Sequence, residues 1–163
     1  MSGTGLRRRQ WLCLAGLPLW PGWVIAGLED LITTAKPSVV PVGTFKATDS
    51  PRFGFRGTGF VVGNGNLVVT NAHVLPAVSA QPADPGTLMV LAPPLRSGEA
   101  LQPRTATIAA LDREHDLALL RIDGAPLSPL VLADANTARE GQSVAIIGFP
   151  IGGALGFTPV THR

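Results

Sequence analysis

Cysteine is almost missing from the 163-residue sequence: the single one, Cys13, lies in an apolar N-terminal stretch, and the Trp11-Leu12 before it does not resemble a lipoprotein acceptor site. From residue 27 onward there is no thiol, which excludes a disulfide framework, a cysteine nucleophile and a zinc-thiolate centre. The three histidines, His73, His115 and His162, have neither His-x-His nor His-x₃-His spacing, so no metal site is expected. No cofactor is expected either, because Gly63-Asn64-Gly65 reads as a turn with no helix after it, unlike a phosphate-cradling loop. Charged heptads and long amphipathic stretches are absent, which argues against a helical bundle. Tyrosine is absent, and Trp11, Trp20 and Trp23 all precede residue 27. A strong charge of one sign is missing as well. The formal net charge is +2, but Arg7, Arg8 and Arg9 supply it; without them ten basic residues face eleven acidic ones, about −1. No nucleic-acid partner follows from such a balance.

The arginine cluster is followed by Trp11 to Leu28, which carry no charge, and by the small-residue site Val24-Ile25-Ala26. A basic head, an apolar middle and a small-residue end describe a secretory signal over 1–26, cleaved after Ala26. Arg8-Arg9-Gln10-Trp11-Leu12 also resembles a twin-arginine export signal. The competing reading is an uncleaved anchor, since the uncharged run approaches a spanning length; Gly16, Pro18, Pro21 and Gly22 weaken a spanning helix. Either way the chain is exported, to the periplasm or beyond, and meets a membrane only through this leader.

The sequence as a whole is 45% hydrophobic with Gly 19 and Pro 15, a composition of short strands joined by turns. Residues 27–50 form an arm, with a weak helix over Leu28–Ala35 and a first strand through Pro37–Phe45 in which Pro41 demands an edge or a bulge. Residues 51–135 hold the remaining strands of an all-β, closed barrel. Phe60–Val62 and Leu67–Thr70 flank the turn Gly63-Asn64-Gly65-Asn66, a hairpin signal because Asn and Gly tolerate the backbone angles a tight turn needs. Thr87–Leu91, Thr105–Leu111 and Leu117–Ile122 follow, and Leu130–Leu132 is a short apolar run. Residues 136–163 begin a second unit, with strands over Gln142–Gly148 and Gly156–Thr161 that have nothing to pair with.

Two polar corners adjoin these strands: Asn71-Ala72-His73, and His115-Asp116 before Leu117. A histidine base and a buried aspartate that holds its ring are what activation of a hydroxyl needs. Spacing alone leaves other roles open: His73 as a structural histidine, Asp116 as a strand-start cap or an ion-pair partner of Arg113.

Gly57-Thr58-Gly59-Phe60-Val61-Val62, Val68-Val69-Thr70-Asn71-Ala72-His73-Val74 and His115-Asp116-Leu117-Ala118-Leu119-Leu120-Arg121-Ile122 together resemble the trypsin-like serine peptidases, in their bacterial HtrA/Deg-like branch. Arg139 to Gly152 is similar to that family's entry into its second barrel. The resemblance runs from about Val39 to the end of the sequence. It implies a chymotrypsin/trypsin-like six-stranded first barrel followed by the opening strands of an incomplete second one, with His73 as general base and Asp116 as orienting acid. It also implies a nucleophile in a Gly-x-Ser-Gly turn of the second barrel, and no such turn occurs here. Ser2, Ser38, Ser50, Ser79, Ser97, Ser128 and Ser143 all lack that context, Ser97 lying in an Arg-Ser-Gly loop of the first half and Ser143 within an expected strand. The oxyanion donors and the pocket for the substrate side chain belong mostly to the same missing half. Three readings stay open: a truncated endopeptidase acting on polypeptides but inactive alone, one half of a split enzyme completed by a partner chain, and a non-catalytic module that binds peptides on an open strand edge, where Ile146, Ile147, Phe149 and Ile151 would lie.

Overall fold

The structure, a computed structural model, describes residues 27–76, 86–94, 99–155 and 157–162. The export signal expected over 1–26 and the loop tip Arg96-Ser97-Gly98 lie outside the described residues.

A short helix, α1 (Leu28–Ala35), opens with Glu29 and Asp30 in its first turn, where acidic groups suit the helix dipole. It runs into a three-residue 3₁₀ turn, Lys36–Ser38, at Pro37. Six strands then close into an antiparallel barrel: β1 (Val39–Phe45), β2 (Phe53–Val62), β3 (Leu67–Thr70), β4 (Thr87–Ala92), β5 (Gln102–Asp112) and β6 (Leu117–Ile122), in the spatial order β1-β2-β3-β6-β5-β4. β1 pairs with both β2 and β4. The strand grouped above with the arm is therefore a stave of the barrel, which begins at Val39.

Pro41 meets both of its conditions. Pairing of β1 with β4 starts only at Val42, so Pro41 has a strand neighbour on one side alone, and a bulge follows between Val42 and Gly43. That bulge also explains Gly43: a Cβ there would stand 2.3 Å from the Gly54 carbonyl oxygen.

Alternation fills the barrel from every side. Val40 and Val42, Val61, Val68, Val90 and Ala92, Ala106, and Ala118, Leu120 and Ile122 form one buried cluster. Val74, Leu75 and Leu127 extend it past the barrel's ends. Each fully buried Val or Leu contributes about 1.5–3 kcal/mol of transfer free energy.

The hairpin turn between β2 and β3 is anchored as well as tight. Gly63 and Gly65 have φ of 62° and 87°. The Leu127 N–H donates to the Gly65 carbonyl at 2.9 Å, and the Asn66 side-chain amide donates to the carbonyls of Ile122 (3.4 Å) and Gly124 (3.0 Å). The hairpin tip and the exit from β6 are thus sewn together.

The second unit departs from expectation. Its strands are shorter, β7 (Ile146–Gly148) and β8 (Val160–His162), and they pair with each other as a separate two-stranded antiparallel sheet instead of lying unpaired. Ser143 precedes β7 and is not in a strand, and Leu130–Leu132 forms no strand. Phe149 is 5% exposed, although the peptide-binding reading would leave it on an open edge; its N–H donates to the Thr58 hydroxyl oxygen at 3.1 Å, tying the second unit to β2. Phe157 packs edge-on to Phe53 with ring centroids 5.6 Å apart, which strengthens the same seam.

Candidate active site

The register of β3 with β6 assembles the site. Thr70 lies opposite Ala118. Carried two residues further along each chain, the same register sets Ala72 beside Asp116, and the Ala72 N–H donates to the Asp116 carbonyl oxygen at 3.1 Å. His73 follows in a 3₁₀ turn, Ala72–Val74, whose apolar members Ala72 and Val74 are buried and point it away from the core. Asp116 occupies the corner between β5 and β6 with φ of 54°, a left-handed conformation that Asp tolerates better than most residues.

His73 and Asp116, 43 residues apart in sequence, meet through two bonds. The His73 N–H donates to Asp116 Oδ1 at 2.9 Å, and His73 Nδ1 lies 2.6 Å from Asp116 Oδ2. An ionised carboxylate only accepts, so Nδ1 carries the proton and Nε2 keeps its lone pair. The Asn71 side-chain amide adds bonds to the Asp116 carbonyl (3.1 Å) and to Oδ2 (3.2 Å). Among the described residues the Asp116 carboxylate is engaged by His73 and Asn71. Burial is the point of difference from expectation: the side chains of His73 and Asp116 are 71% and 44% exposed, so the carboxylate reaches solvent. The ring presents Nε2 outward on an open face.

Hydrogen bonds from the His73 backbone N–H and then from its ring hold the Asp116 carboxyl below the usual carboxylate range. A folded-state pKa below the unfolded one means that the pair stabilises the fold above the ordinary carboxyl pKa of about 3.9, and that this contribution is lost as pH falls through the lower folded value. A ¹³C NMR titration of the Asp116 carboxyl should show a midpoint below that ordinary value, and a midpoint at or above it would contradict the geometry.

A second pair mimics the first. In the same corner the His115 N–H donates to Asp112 Oδ1 at 3.1 Å and His115 Nδ1 lies 2.8 Å from Asp112 Oδ2. It is a local bond within one turn, the His115 side chain being 68% exposed, and no strand register brings another chain segment to it. His162 sits in β8 opposite Ile146.

No serine hydroxyl hydrogen-bonds the His73 ring among the described residues. Ser38 is 2% exposed in the turn before β1, and Ser79 and Ser97 lie outside the described residues. Two contributors to the site carry no role in the sequence reading. Asn71 stands inside the Thr-Asn-Ala-His motif and was legible as part of it. Arg56 had no local signal: its Nε donates to the Val74 carbonyl at 2.6 Å across 18 residues.

Comparison with known proteins gives a consistent result. Residues 57–160 match the family described as "Trypsin-like peptidase domain". Serine protease HTRA3 of Homo sapiens is 31% identical over 159 residues, covering 92% of this chain and 33% of that protein. Serine protease Rv3671c of Mycobacterium tuberculosis H37Rv is 33% identical over 137 residues, covering 83% of this chain and 30% of that protein. The chain thus spans about a third of the length of these curated relatives. Among solved structures, the crystal structure of Deg5 superposes with a TM-score of 0.63 at 28% identity, covering 82% of this chain and 59% of that one.

Proposed function

We propose, for a chain that belongs to the trypsin-like serine peptidases of the HtrA type, that His73 is the general base and Asp116 the orienting acid of a Ser-His-Asp endopeptidase whose nucleophile comes from outside these 163 residues. The observation that carries this reading is the 2.6 Å contact of His73 Nδ1 with Asp116 Oδ2 beneath a ring that is 71% exposed. A base fixed in one tautomer, with its free nitrogen facing outward, is what a serine presented from elsewhere requires.

The steps follow from that geometry. A serine hydroxyl within hydrogen-bond reach of Nε2 gives up its proton as its oxygen attacks the scissile carbonyl of a polypeptide. His73 becomes an imidazolium that the Asp116 carboxylate stabilises. The imidazolium then protonates the departing amine, the carbon–nitrogen bond breaks, and an acyl-enzyme remains. Water repeats the sequence and releases the acid. The oxyanion donors come with the serine-bearing segment.

The exposed apolar residues after β6 fit an arrangement in which more chain covers them. Beyond the barrel strands, Val131 (95% exposed), Leu132 (69%), Val144 (69%), Ile146 (69%) and Ile151 (58%) leave apolar side chains in solvent. A serine-bearing half, in the same chain or in a partner chain, would bury them. With its arginine-headed leader, such an enzyme works after export, in the periplasm or outside the cell.

Fluorophosphonate labelling tests the reading. The purified 163-residue chain should not label. Addition of the serine-bearing half should produce labelling, and His73→Ala should remove it again. Labelling of the chain alone would place a nucleophile among its own serines and overturn the proposal. Peptide binding without turnover, unchanged by His73→Ala, would mark a binding module instead.

A further inference from the structure

The turn that carries His73 is gripped from both ends. On its N-terminal side Asp116 receives the N–H groups of Ala72 and His73. On its C-terminal side the turn's own bonds run from Val74 N–H to Asn71 and from Leu75 N–H to Ala72, which leaves the carbonyls of Val74 and Leu75 with no partner inside the turn. Arg56 of β2 supplies one for each. Its Nε donates to the Val74 carbonyl at 2.6 Å and its Nη2 to the Leu75 carbonyl at 3.3 Å. The next residue of β2 makes the approach feasible: a Cβ on Gly57 would stand 2.5 Å from Val74 Cγ2, so only a glycine lets the strand and the turn pack this closely.

We propose that Arg56 is a positioning residue for His73. It touches neither the ring nor any reacting atom. Its planar fork clasps two neighbouring carbonyls, with charge-assisted bonds stronger than neutral ones, and so fixes the pitch of the turn at which the ring meets Asp116. Without the clasp the C-terminal end of the turn keeps its own backbone bonds and the packing of Val74 and Leu75 but loses its tie to β2, and the ring samples orientations in which Nδ1 leaves Oδ2. The idea rests on the His73–Asp116 pair having the role given above, and the test separates the two.

The readout is the His73 Nδ1 proton in ¹H NMR of the whole chain, which the 2.6 Å contact should shift far downfield and protect from exchange. His115→Gln removes the one similar signal, from the Asp112 pair. Arg56→Met should broaden the His73 signal and speed its exchange with water by about tenfold, while the Leu120 amide stays protected and shows the barrel intact. Arg56→Lys keeps the charge but offers an ammonium in place of a fork, and should give about a threefold increase. Should Arg56→Met fail to fold, Arg56→Lys decides alone. A shift and an exchange rate within about twofold of the unsubstituted chain in every variant that folds would overturn the proposal. Asp116→Asn distinguishes the failures. If it abolishes the signal and the Arg56 variants do not disturb it, only the positioning role falls; if the signal survives Asp116→Asn, the pair itself is not what produces it and both readings fall.

Discussion

In an assembly that carries the serine, Asp116→Asn should lower kcat by about 10⁴-fold with little change in KM. The size follows from the proton inventory of the site. Asp116 Oδ2 accepts from His73 Nδ1 at 2.6 Å, and that bond puts the lone pair on Nε2. An asparagine amide in the same place can turn its NH₂ toward Nδ1. The ring then takes the opposite tautomer, with a proton on the nitrogen that must accept one. The backbone bond from the His73 N–H to the other oxygen, at 2.9 Å, can still form, so the turn keeps its position while the chemistry fails. Asp112→Asn is the matched control. Its partner His115 is bonded in the same double fashion, at 3.1 and 2.8 Å, yet it lies outside the strand register that builds the site. That substitution should change kcat by less than about twofold, the scatter expected of surface changes away from special features. Measuring kcat and KM separately for both variants, with His73→Ala as the floor, checks the prediction. Equal losses for Asp112→Asn and Asp116→Asn would mean that the corner as a whole, and not one carboxylate, matters.

Much of this was legible along the chain, and the exceptions share a cause. The hairpin around Gly63-Asn64-Gly65-Asn66 was readable because its information is local: turn residues between β-branched runs. The helix over Leu28–Ala35 was readable for the same reason. β2, by contrast, is ten residues long, Phe53–Val62, where propensity marked only its last three. Gly54, Arg56, Gly57 and Gly59 depress a local strand signal, yet two of those glycines serve packing. A Cβ on Gly59 would stand 2.7 Å from Val68 Cγ1, and one on Gly57 would strike Val74. Both contacts lie between elements that a linear reading cannot bring together. The His73–Asp116 pair belongs to this class too. Composition and spacing left it open, and family resemblance alone suggested it; the β3–β6 register supplies the physical reason. The pairing of β7 with β8 and the burial of Phe149 were missed because an isolated apolar strand does not state its partner.

Leu120→Ala should cost about 2–5 kcal/mol of folding stability, a large part of the 5–15 kcal/mol typical of a domain. Leu120 is fully buried in β6, with Ala118 and Ile122 as its inward-facing companions on the strand. It sits opposite Val68 of β3 on one side and Ile108 of β5 on the other. Truncation removes contacts that valine and alanine neighbours are too short to replace, so the cavity persists instead of collapsing, which places the cost toward the upper part of that range. The consequence reaches the site through the same register. β3 leads into His73 and β6 follows directly from Asp116, so the packing that holds these two strands side by side also holds the base to its acid. Urea denaturation followed by circular dichroism should therefore show a lower midpoint with an unchanged slope. The His73 Nδ1 proton should disappear along the same denaturant curve as the β signal. If the proton vanished well before the strands melt, His73 and Asp116 would be joined by their corner loops alone, and the β3–β6 pairing would not be what brings them together.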